Sequence, residues 1–263
     1  MKTLILLLVL FTSLTLSAQQ TDFIVPANTQ KILTSAERTL SVKKFSLGDG
    51  VTIIIPPHMD GWTVTATDAS IGNNVKIIGQ ANVGFPGVGA MSAASAPACS
   101  TGYNAANGSH GQPGSPGKNV SMNLNIKSIG TLTIEVIGGK GGNGGAGGNG
   151  GKGGNATCAC YAGKGGNGGN GGFAGNGGAG GNVSIVYTKV GNVSVGNSNF
   201  IILNTGGRWG LGGNGGAGGQ GGAGGGCTDP KALVKPAGAA GLNGARASDG
   251  QPGRNGTTTI KAG

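Results

Sequence analysis

The residues that could do acid–base or nucleophilic chemistry are few and scattered. The chain has 263 residues, with two histidines and eight acidic residues. His58-Met59-Asp60 is the one close pair of these groups, and it lies between two prolines and a glycine, a pattern typical of a turn. General acid–base catalysis needs such groups within hydrogen-bonding reach of one another. We therefore expect a protein that is not an enzyme and has no catalytic residues.

Phosphate, metal and cofactor sites are not predicted either. Lys118, Lys140, Lys152 and Lys164 follow a glycine, as in a phosphate-binding loop, but none is followed by Ser or Thr. Calcium-binding glycine repeats carry an Asp in each repeat, whereas residues 136–228 contain no acid. The four cysteines lack the paired Cys-x-x-Cys spacing of zinc sites. We expect no cofactor and no metal.

The residues best suited to binding lie in glycine-rich sequence. Tyr103, Tyr161, Phe173 and Trp209 are candidate ligand-binding residues, because aromatic rings offer large apolar faces on which sugars can stack. Trp209 stands where the repeat has Gly, and could instead fill a junction with β structure. A second polar surface is predicted at every third position, unless these side chains serve solubility alone: Asn143, Asn149, Asn155, Asn167, Asn170, Asn176, Asn214, Lys140, Lys152 and Lys164.

The N-terminus is typical of a secretory precursor. Met1-Lys2 precedes an apolar run from Leu4 to Leu16, and Ser17-Ala18 offers a small-residue cleavage site. The run is shorter than the roughly 20 residues that a membrane-spanning helix needs. We interpret residues 1–18 as a signal peptide of a secreted or cell-surface protein, and we expect no membrane span.

The charge balance indicates which partners are plausible outside the cell. A formal net charge of +10 favours acidic glycans, lipopolysaccharide or teichoic acids, although a basic surface that only confers solubility explains it equally well. Neutral glycans remain possible through the aromatic residues. Nucleic-acid binding needs clustered cations interleaved with aromatics, whereas these cations stand singly between glycines. We expect no nucleic-acid partner, and the oligomeric state stays open.

The rest of the chain alternates between strands and glycine-rich inserts. Residues 19–82 form an N-terminal β region, with strands predicted at 51–55, 62–66 and 75–78 from β-branched runs bounded by turn residues. The order strand, turn, strand, insert then repeats, and repeats of this kind stack into one core. The prediction is an all-β fold with a small β-solenoid or β-sandwich base. Its later β segments are 119–137, 182–204 and 257–260, and its inserts are 83–118, 138–181 and 205–256.

Each insert is predicted to be a long hairpin of two arms. Gly recurs in triplets, as in Gly138-Gly139-Lys140 and Gly141-Gly142-Asn143. A period of three matches the polyproline II helix, called polyglycine II when Gly dominates, in which about 17 residues span roughly 50 Å. A residue that touches a neighbouring backbone must be small. We therefore expect a bundle of six arms, with the three doubled-Gly arms inside and the three single-Gly arms outside.

The four cysteines are predicted to form disulfides at the insert tips. Cys99 lies at the tip of the first insert, Cys158 and Cys160 at that of the second, and Cys227 at that of the third. An even number of cysteines in a secreted chain indicates disulfides. A Cys158–Cys160 bridge closes too short a loop, so bridges from tip one to tip two and from tip two to tip three are expected. Their pairing stays open.

The phased triplets, which cover about half of the chain, resemble polyglycine II bundle proteins. Two such groups are the glycine-rich antifreeze proteins of snow fleas and the glycine-rich tail-tip adhesins of phages. The resemblance implies a polyglycine II helix bundle for the inserts, and either adhesion or ice binding. The first hypothesis is a non-enzymatic structural and adhesive protein that presents a binding surface to glycans or cell envelopes. The alternative is an ice-binding (antifreeze) protein that uses a flat outer face of the bundle.

Overall fold

The computed structural model of the chain describes residues 22–225 and 234–263. The predicted signal peptide and Cys227 lie outside these residues. The described chain is rich in strands, with two short 3-10 turns, and the prediction of an all-β chain is confirmed. The strands are β1 (Asp22–Val25), β2 (Gln30–Ile32), β3 (Thr39–Leu47), β4 (Thr52–Ile55), β5 (Gly61–Ile71), β6 (Val75–Gly79), β7 (Asn119–Ile129), β8 (Leu132–Glu135), β9 (Val183–Lys189), β10 (Phe200–Leu203) and β11 (Thr258–Ala262).

Successive strands alternate between two parallel sheets. The six-stranded sheet has the order β1-β3-β5-β7-β9-β11, and the five-stranded sheet has the order β10-β8-β6-β4-β2. Each pair of successive strands therefore makes one coil of the chain, and each new coil adds one strand to each sheet. Neighbouring strands in both sheets pair in parallel.

The hydrophobic core lies between the two sheets. Alternate residues of each strand point inward, so that Trp62, Val64 and Ala66 of β5 are buried while the residues between them are exposed. Phe45 is fully buried, and its ring centroid lies 5.5 Å from that of Phe23 and 6.0 Å from that of Trp62. Burial of each such side chain stabilises the fold by about 1.5–3 kcal/mol.

Strand β3 was not located by the sequence pattern. It buries Leu40 and Val42 in alternation, but two exposed lysines, Lys43 and Lys44, interrupt the alternation before Phe45. Strands β1 and β2 are also absent from the predicted set, because each offers only three or four residues of pattern. Strands β4 and β6 match the predicted strands closely.

All three inserts leave and rejoin the coils at the same place. They follow β6, β8 and β10, which are neighbours in the five-stranded sheet, and they end at β7, β9 and β11, which are neighbours in the six-stranded sheet. In chain order the arms are arm one (83–98), arm two (101–118), arm three (138–156), arm four (162–181), arm five (205–225) and arm six (234–256). The stacking of the coils therefore places like arms side by side.

The strand register continues into the arms. Val120 of β7 pairs with Val183 of β9, and the same separation of 63 residues joins Asn107 of arm two to Asn170 of arm four. Arms four and six keep the separation of 75 residues that β9 and β11 have. Arms three and five keep the 68 residues of β8 and β10. The arms therefore share the register of the β base.

The arms are joined by backbone hydrogen bonds that recur every third residue. Outgoing arms one, three and five form one layer, and return arms two, four and six form the other. Bonds run within each layer and between layers, for example Gly87 N–H to Asn143 O at 2.7 Å, Gly147 N–H to Asn214 O at 2.9 Å and Gly169 N–H to Gly148 O at 2.9 Å.

The number of Gly residues per triplet only partly predicts an arm's position. Arms three and four, which have doubled Gly, bond to arms on both sides and in the other layer. Arm two has one Gly per triplet but still bonds to arms one, three and four. Arm five, which has doubled Gly, likewise bonds to three other arms, namely three, four and six. The number of Gly residues per triplet therefore does not by itself separate the arms into three inner and three outer ones.

Lys118 anchors the inserts to the base. Its side chain is buried, and its ammonium donates a hydrogen bond to the carbonyl of Pro57 at 2.7 Å. Burial lowers the pKa of Lys118, and the charge of Asp60 opposes that effect. A buried lysine that bonds to a carbonyl ties arm two to the loop after β4.

Candidate functional site

The Asn side chains of the arms belong to the hydrogen-bond lattice. In the doubled-Gly triplets of the described arms the N–H of the third residue donates to no backbone carbonyl, and an Asn side-chain oxygen of a neighbouring arm can accept from it instead. Asn143 Oδ1 accepts from Leu211 N–H at 3.0 Å, and Asn170 Oδ1 accepts from Ala245 N–H at 2.8 Å. The same bond recurs at other third positions: Asn149, Asn155, Asn167 and Asn176. The sequence suggested two roles for these Asn residues, either a binding surface or solubility. Neither includes this role as a hydrogen-bond acceptor.

The tips of the first two inserts are joined by a disulfide between Cys99 and Cys160, whose Cα atoms lie 5.7 Å apart. The expected bridge between these tips is confirmed. Cys158 is also disulfide-bonded. Tyr161 is 67% exposed beside this bridge, and the Lys235 ammonium lies 5.1 Å from its ring centroid. Lys235 also donates to the carbonyl of Cys158 at 2.9 Å.

Tyr103 belongs to arm two, which lies with arm one at the edge of the two insert layers. It is 57% exposed. Phe85, Val88 and Met91 recur every third residue on arm one and are also exposed. These three residues are not among the predicted binding residues, although their period of three matches the period of the arm and could have revealed one face.

Three residues replace Gly within a short stretch of the lattice. Ala174, Trp209 and Ala247 occupy the positions that Gly holds in neighbouring triplets of arms four, five and six. At the flanking Gly212 of arm five, a Cβ would lie 2.0 Å from the carbonyl of Ala247. The arms are slightly further apart here. The distance from Ala174 N–H to Ser248 O is 3.3 Å, whereas the equivalent distance one triplet away, from Gly177 N–H to Gln251 O, is 2.9 Å.

Ala174 and Trp209 lie close together, whereas Ala247 faces Gly213 of arm five, about one triplet beyond Trp209, because the Ala247 N–H donates to Gly213 O. Gly210, which follows Trp209, donates to Gly175 O, and it accepts from Gly250 at 3.1 Å. Ala247 precedes Ser248, the acceptor of Ala174. We call this short stretch of the arms the replacement level. Cavities open on the two opposite outer faces of the inserts there.

The cavity on the return-arm face contains Phe173. It has a volume of about 400 Å³ and is lined by Phe173, His110, Arg246 and Ser248, among others. The rings of Phe173 and His110 stack with centroids 5.1 Å apart, and His110 Nδ1 accepts from Phe173 N–H at 2.9 Å. His110 therefore accepts the hydrogen bond that Asn104 and Asn107 accept elsewhere on arm two. Its ring also packs against that of Phe173.

Arg246, at the rim of this cavity, is paired with Asp249. Asp249 Oδ1 also accepts from Gly212 N–H at 2.7 Å. The Gly212 N–H bond and then the Arg246 guanidinium hold the pKa of Asp249 below its ordinary value. The charge of Arg246 is therefore partly neutralised from within the protein.

The cavity on the outgoing-arm face contains Trp209. It has a volume of about 480 Å³ and is lined by Lys140, Arg208, Trp209 and Leu211. Trp209 is 43% exposed and Leu211 is 56% exposed, and neither belongs to the buried core. Filling of the junction with the β base is therefore not the role of Trp209.

Lys140 and Arg208 stand side by side at this cavity. Gly141 N–H donates to Arg208 O at 2.8 Å, and the two cations occupy equivalent positions of arms three and five. Among the residues that the structure describes, neither cation forms an ion pair. We call Lys140, Arg208, Trp209 and Leu211 the Trp209 patch.

The structure distributes the four predicted aromatic residues over four places. Tyr103 lies at an edge, Tyr161 near the tips, and Phe173 and Trp209 on opposite faces of the replacement level. Within the described ranges, no three His, Cys, Asp or Glu side chains are grouped as a metal site would require. The same ranges contain no helix with the length and apolar character needed to cross a bilayer.

Comparison with known proteins identifies no family. No protein-family profile matches the chain, and no curated protein does. Among solved structures, a nine polyproline type II helical bundle springtail antifreeze protein from Granisotoma rainieri matches with 22% identity, covering 62% of this chain and 91% of its own. The TM-score of 0.15 is too low for this similarity to support an argument on fold or function.

Proposed function

We propose that this protein is secreted or displayed at the cell surface, where it acts as a non-enzymatic structural and adhesive protein that binds glycans or cell-envelope components. The observation that carries the proposal is the placement of the insert aromatics. Phe85, Tyr103, Tyr161, Phe173 and Trp209 are all between 43% and 73% exposed. Large aromatic side chains normally contribute to cores or interfaces.

We propose further that the inserts form a polyglycine II helix bundle on a β-solenoid base. The hydrogen bonds that recur every third residue support this assignment, because a polyproline II helix has three residues per turn and bonds only to its neighbours. The coiled path of the chain through two parallel sheets supports the solenoid. A bundle tied to its base by a shared register would hold exposed aromatics in fixed positions, which lowers the entropy cost of binding.

The test of adhesion is direct binding by the mature chain with its disulfides intact. Immobilised probes would be a polyuronate, sulfated dextran, neutral dextran, lipopolysaccharide and teichoic acid. We expect binding to at least one probe, and a weaker signal when one of Tyr103, Tyr161, Phe173 or Trp209 is replaced. Binding to none of the probes and to no whole-envelope preparation would disprove the proposal.

Ice binding is the second candidate, and the regularity of the return-arm face favours it. Arms two, four and six align there in register, and short side chains form part of the grid beside the Phe173 cavity: Asn104, Asn107, Asn167, Asn170 and Ala245. A flat, regular face is what ordered water would need.

The ice-binding test compares two equivalent substitutions on opposite faces. Asn170→Lys alters the return-arm face, and Asn149→Lys alters the outgoing-arm face, where Asn149 makes the same kind of hydrogen bond to Ala217 N–H at 2.9 Å. If the return-arm face binds ice, thermal hysteresis and inhibition of recrystallisation fall with Asn170→Lys and persist with Asn149→Lys. Absence of both activities in the unmodified protein rules this candidate out.

A further inference from the structure

We propose that the Trp209 patch is a binding site for acidic sugar rings, with carboxylate or sulfate groups on Lys140 and Arg208 and the sugar ring on Trp209. The inference rests on the proposed adhesive function and names the site and the ligand class. It does not follow from the net charge alone, since it depends on two cations that line the same cavity as an exposed tryptophan.

The first support is that Trp209 occupies a position at which the neighbouring triplets of arm five have Gly. At the equivalent position one triplet earlier, a Cβ on Gly206 would lie 1.9 Å from the carbonyl of Gly253. The neighbouring hydrogen bond from Gly250 to Gly210 is 3.1 Å long, against 2.9 Å from Gly253 to Gly207. Departures from a local rule without a compensating core contact are typical of functional positions.

The second support is the charge arrangement. Lys140 and Arg208 occupy equivalent positions of adjacent arms, so their like charges repel each other. A bound anion would relieve this repulsion and accept charge-assisted hydrogen bonds, with Arg able to bind a carboxylate or sulfate through two of its donors. The Phe173 cavity lacks this feature, because Asp249 already pairs with Arg246.

The third support is the shape and polarity of the patch. A cavity of about 480 Å³ is large enough for one or two sugar rings. Trp209 and Leu211 provide an apolar surface of the kind that the less polar face of a sugar ring can cover. Two cations beside that surface select for an acidic ring over a neutral one.

The experiment is a fluorescence titration of the mature, disulfide-intact protein with polyuronate oligosaccharides, sulfated dextran and neutral dextran. The chain has two tryptophans, and Trp62 is only 1% exposed, so a ligand-induced change in emission reports on Trp209. We expect a change with the two acidic probes that weakens as salt is raised, and none with neutral dextran. A change with one acidic probe only identifies the acid group that is bound.

The following variants distinguish binding at the Trp209 patch from attraction by the overall positive charge of the protein. Lys140→Ala and Arg208→Ala should each weaken binding about tenfold, as the loss of one charge-assisted hydrogen bond implies. Lys152→Ala removes the same charge from the same arm about 37 Å further out, and should change binding less than twofold. Equal effects of Lys140→Ala and Lys152→Ala would overturn the proposed site.

Trp209→Gly distinguishes binding from structure, with binding measured by retention on the immobilised probes. It restores the Gly of the repeat, so we expect binding to the acidic probes to be lost while the unfolding midpoint stays unchanged or rises. A lower midpoint, or unchanged binding, would overturn the inference. If the unmodified protein binds glycans but Trp209→Gly binds as well, only the site is wrong, whereas failure of the unmodified protein to bind any probe overturns the adhesive function itself.

Discussion

The β base and the inserts are held together by opposite means. The base buries its large side chains, with Phe45, Ile53 and Val64 fully inaccessible to solvent. The described parts of the inserts bury backbone and expose their side chains, so that Phe85 and Met91 are 73% and 89% exposed. Apolar burial is non-directional, whereas the lattice of the arms depends on donors and acceptors that meet in register. The base therefore has a side-chain contribution to stability in addition to its strand register, whereas the arms depend mainly on register.

The two regions are nevertheless coupled through register. The separation of 63 residues between β7 and β9 is also that between arms two and four. Stability of the base should thus be a condition for alignment of the arms, and not the reverse. The predictions below test this asymmetry, in order of expected effect.

Removal of a core ring should have the largest effect. Phe45→Ala deletes a fully buried side chain that stacks on Phe23 and contacts Trp62, which should cost about 3–5 kcal/mol of the free energy of unfolding. Denaturant unfolding followed by Trp62 fluorescence measures it. The matched control is Phe85→Ala, an exposed ring on arm one, which should change stability by less than about 0.5 kcal/mol. Similar losses from both would erase the contrast between base and arms.

Loss of the tip disulfide should come next. Replacement of both Cys99 and Cys160 by Ser releases a link across a sequence separation of 61 residues, which should cost about 2–4 kcal/mol. Hydrogen exchange should show the loss in the arms, with protection of β5 and β7 retained. Uniform loss of protection across the base would mean that the arms stabilise the base, contrary to the proposed asymmetry.

Addition of a single methyl group to an arm should have a smaller effect, and it tests whether the close approach of the arms requires Gly. A Cβ on Gly169 would lie 1.8 Å from the carbonyl of Ala106, so Gly169→Ala should force the arms apart and cost about 1–3 kcal/mol. The chain already accommodates Ala174 at such a position, with a hydrogen bond lengthened to 3.3 Å. The free energy of unfolding should therefore fall without loss of the fold.

The control for this methyl group is Gly89→Ala on arm one. Its Cβ would lie 3.6 Å from the nearest atom, the carbonyl oxygen of Ala146, which is an ordinary contact. With space available, replacement of Gly should stabilise the fold by about 0.4–1 kcal/mol through the unfolded chain. If both Gly→Ala variants change stability in the same direction, close approach is not what requires Gly in the arms.

The sequence predicted those parts of the fold that depend on local pattern. The β-branched run before Pro56 gave β4, and the triplet period indicated extended arms. The pairing of Val120 with Val183 could not be predicted, because parallel register between distant strands depends on every coil below it. For the same reason, the replacement of Gly at Trp209 was visible in the sequence, but its alignment with Ala174 was not.

The roles of the Asn residues were within reach of the sequence. A triplet that bonds two of its N–H groups to neighbouring backbone leaves the third N–H without a backbone partner, and a side-chain oxygen can accept from it. Asn at the third position is suited to supply that oxygen. What could not be predicted is which arm each Asn serves, since Asn143 accepts from arm five and Asn170 accepts from arm six.

The smallest expected effect concerns pH at Asp249. Asn243 and Asn255 accept from the backbone N–H of Gly218 and Gly206, and Asp249 takes the same role toward Gly212. Because the folded pKa of Asp249 lies below its ordinary value of 3.8, this carboxylate adds stability above that pH, and the contribution is lost as pH falls through the folded pKa. Asp249→Asn keeps an acceptor that does not titrate.

We therefore expect the unfolding midpoints of the unmodified protein and Asp249→Asn to be close at pH 7 and to separate below pH 3.8, with Asp249→Asn the more stable. Asp249→Ala, which removes the acceptor, should be the less stable at pH 7 and should not share the acid-dependent loss. The other carboxylates are the same in all three proteins and cancel in the comparison. Parallel midpoint curves for the unmodified protein and Asp249→Asn would show that Gly212 gains nothing from a charged acceptor, and that the arms depend on geometry alone.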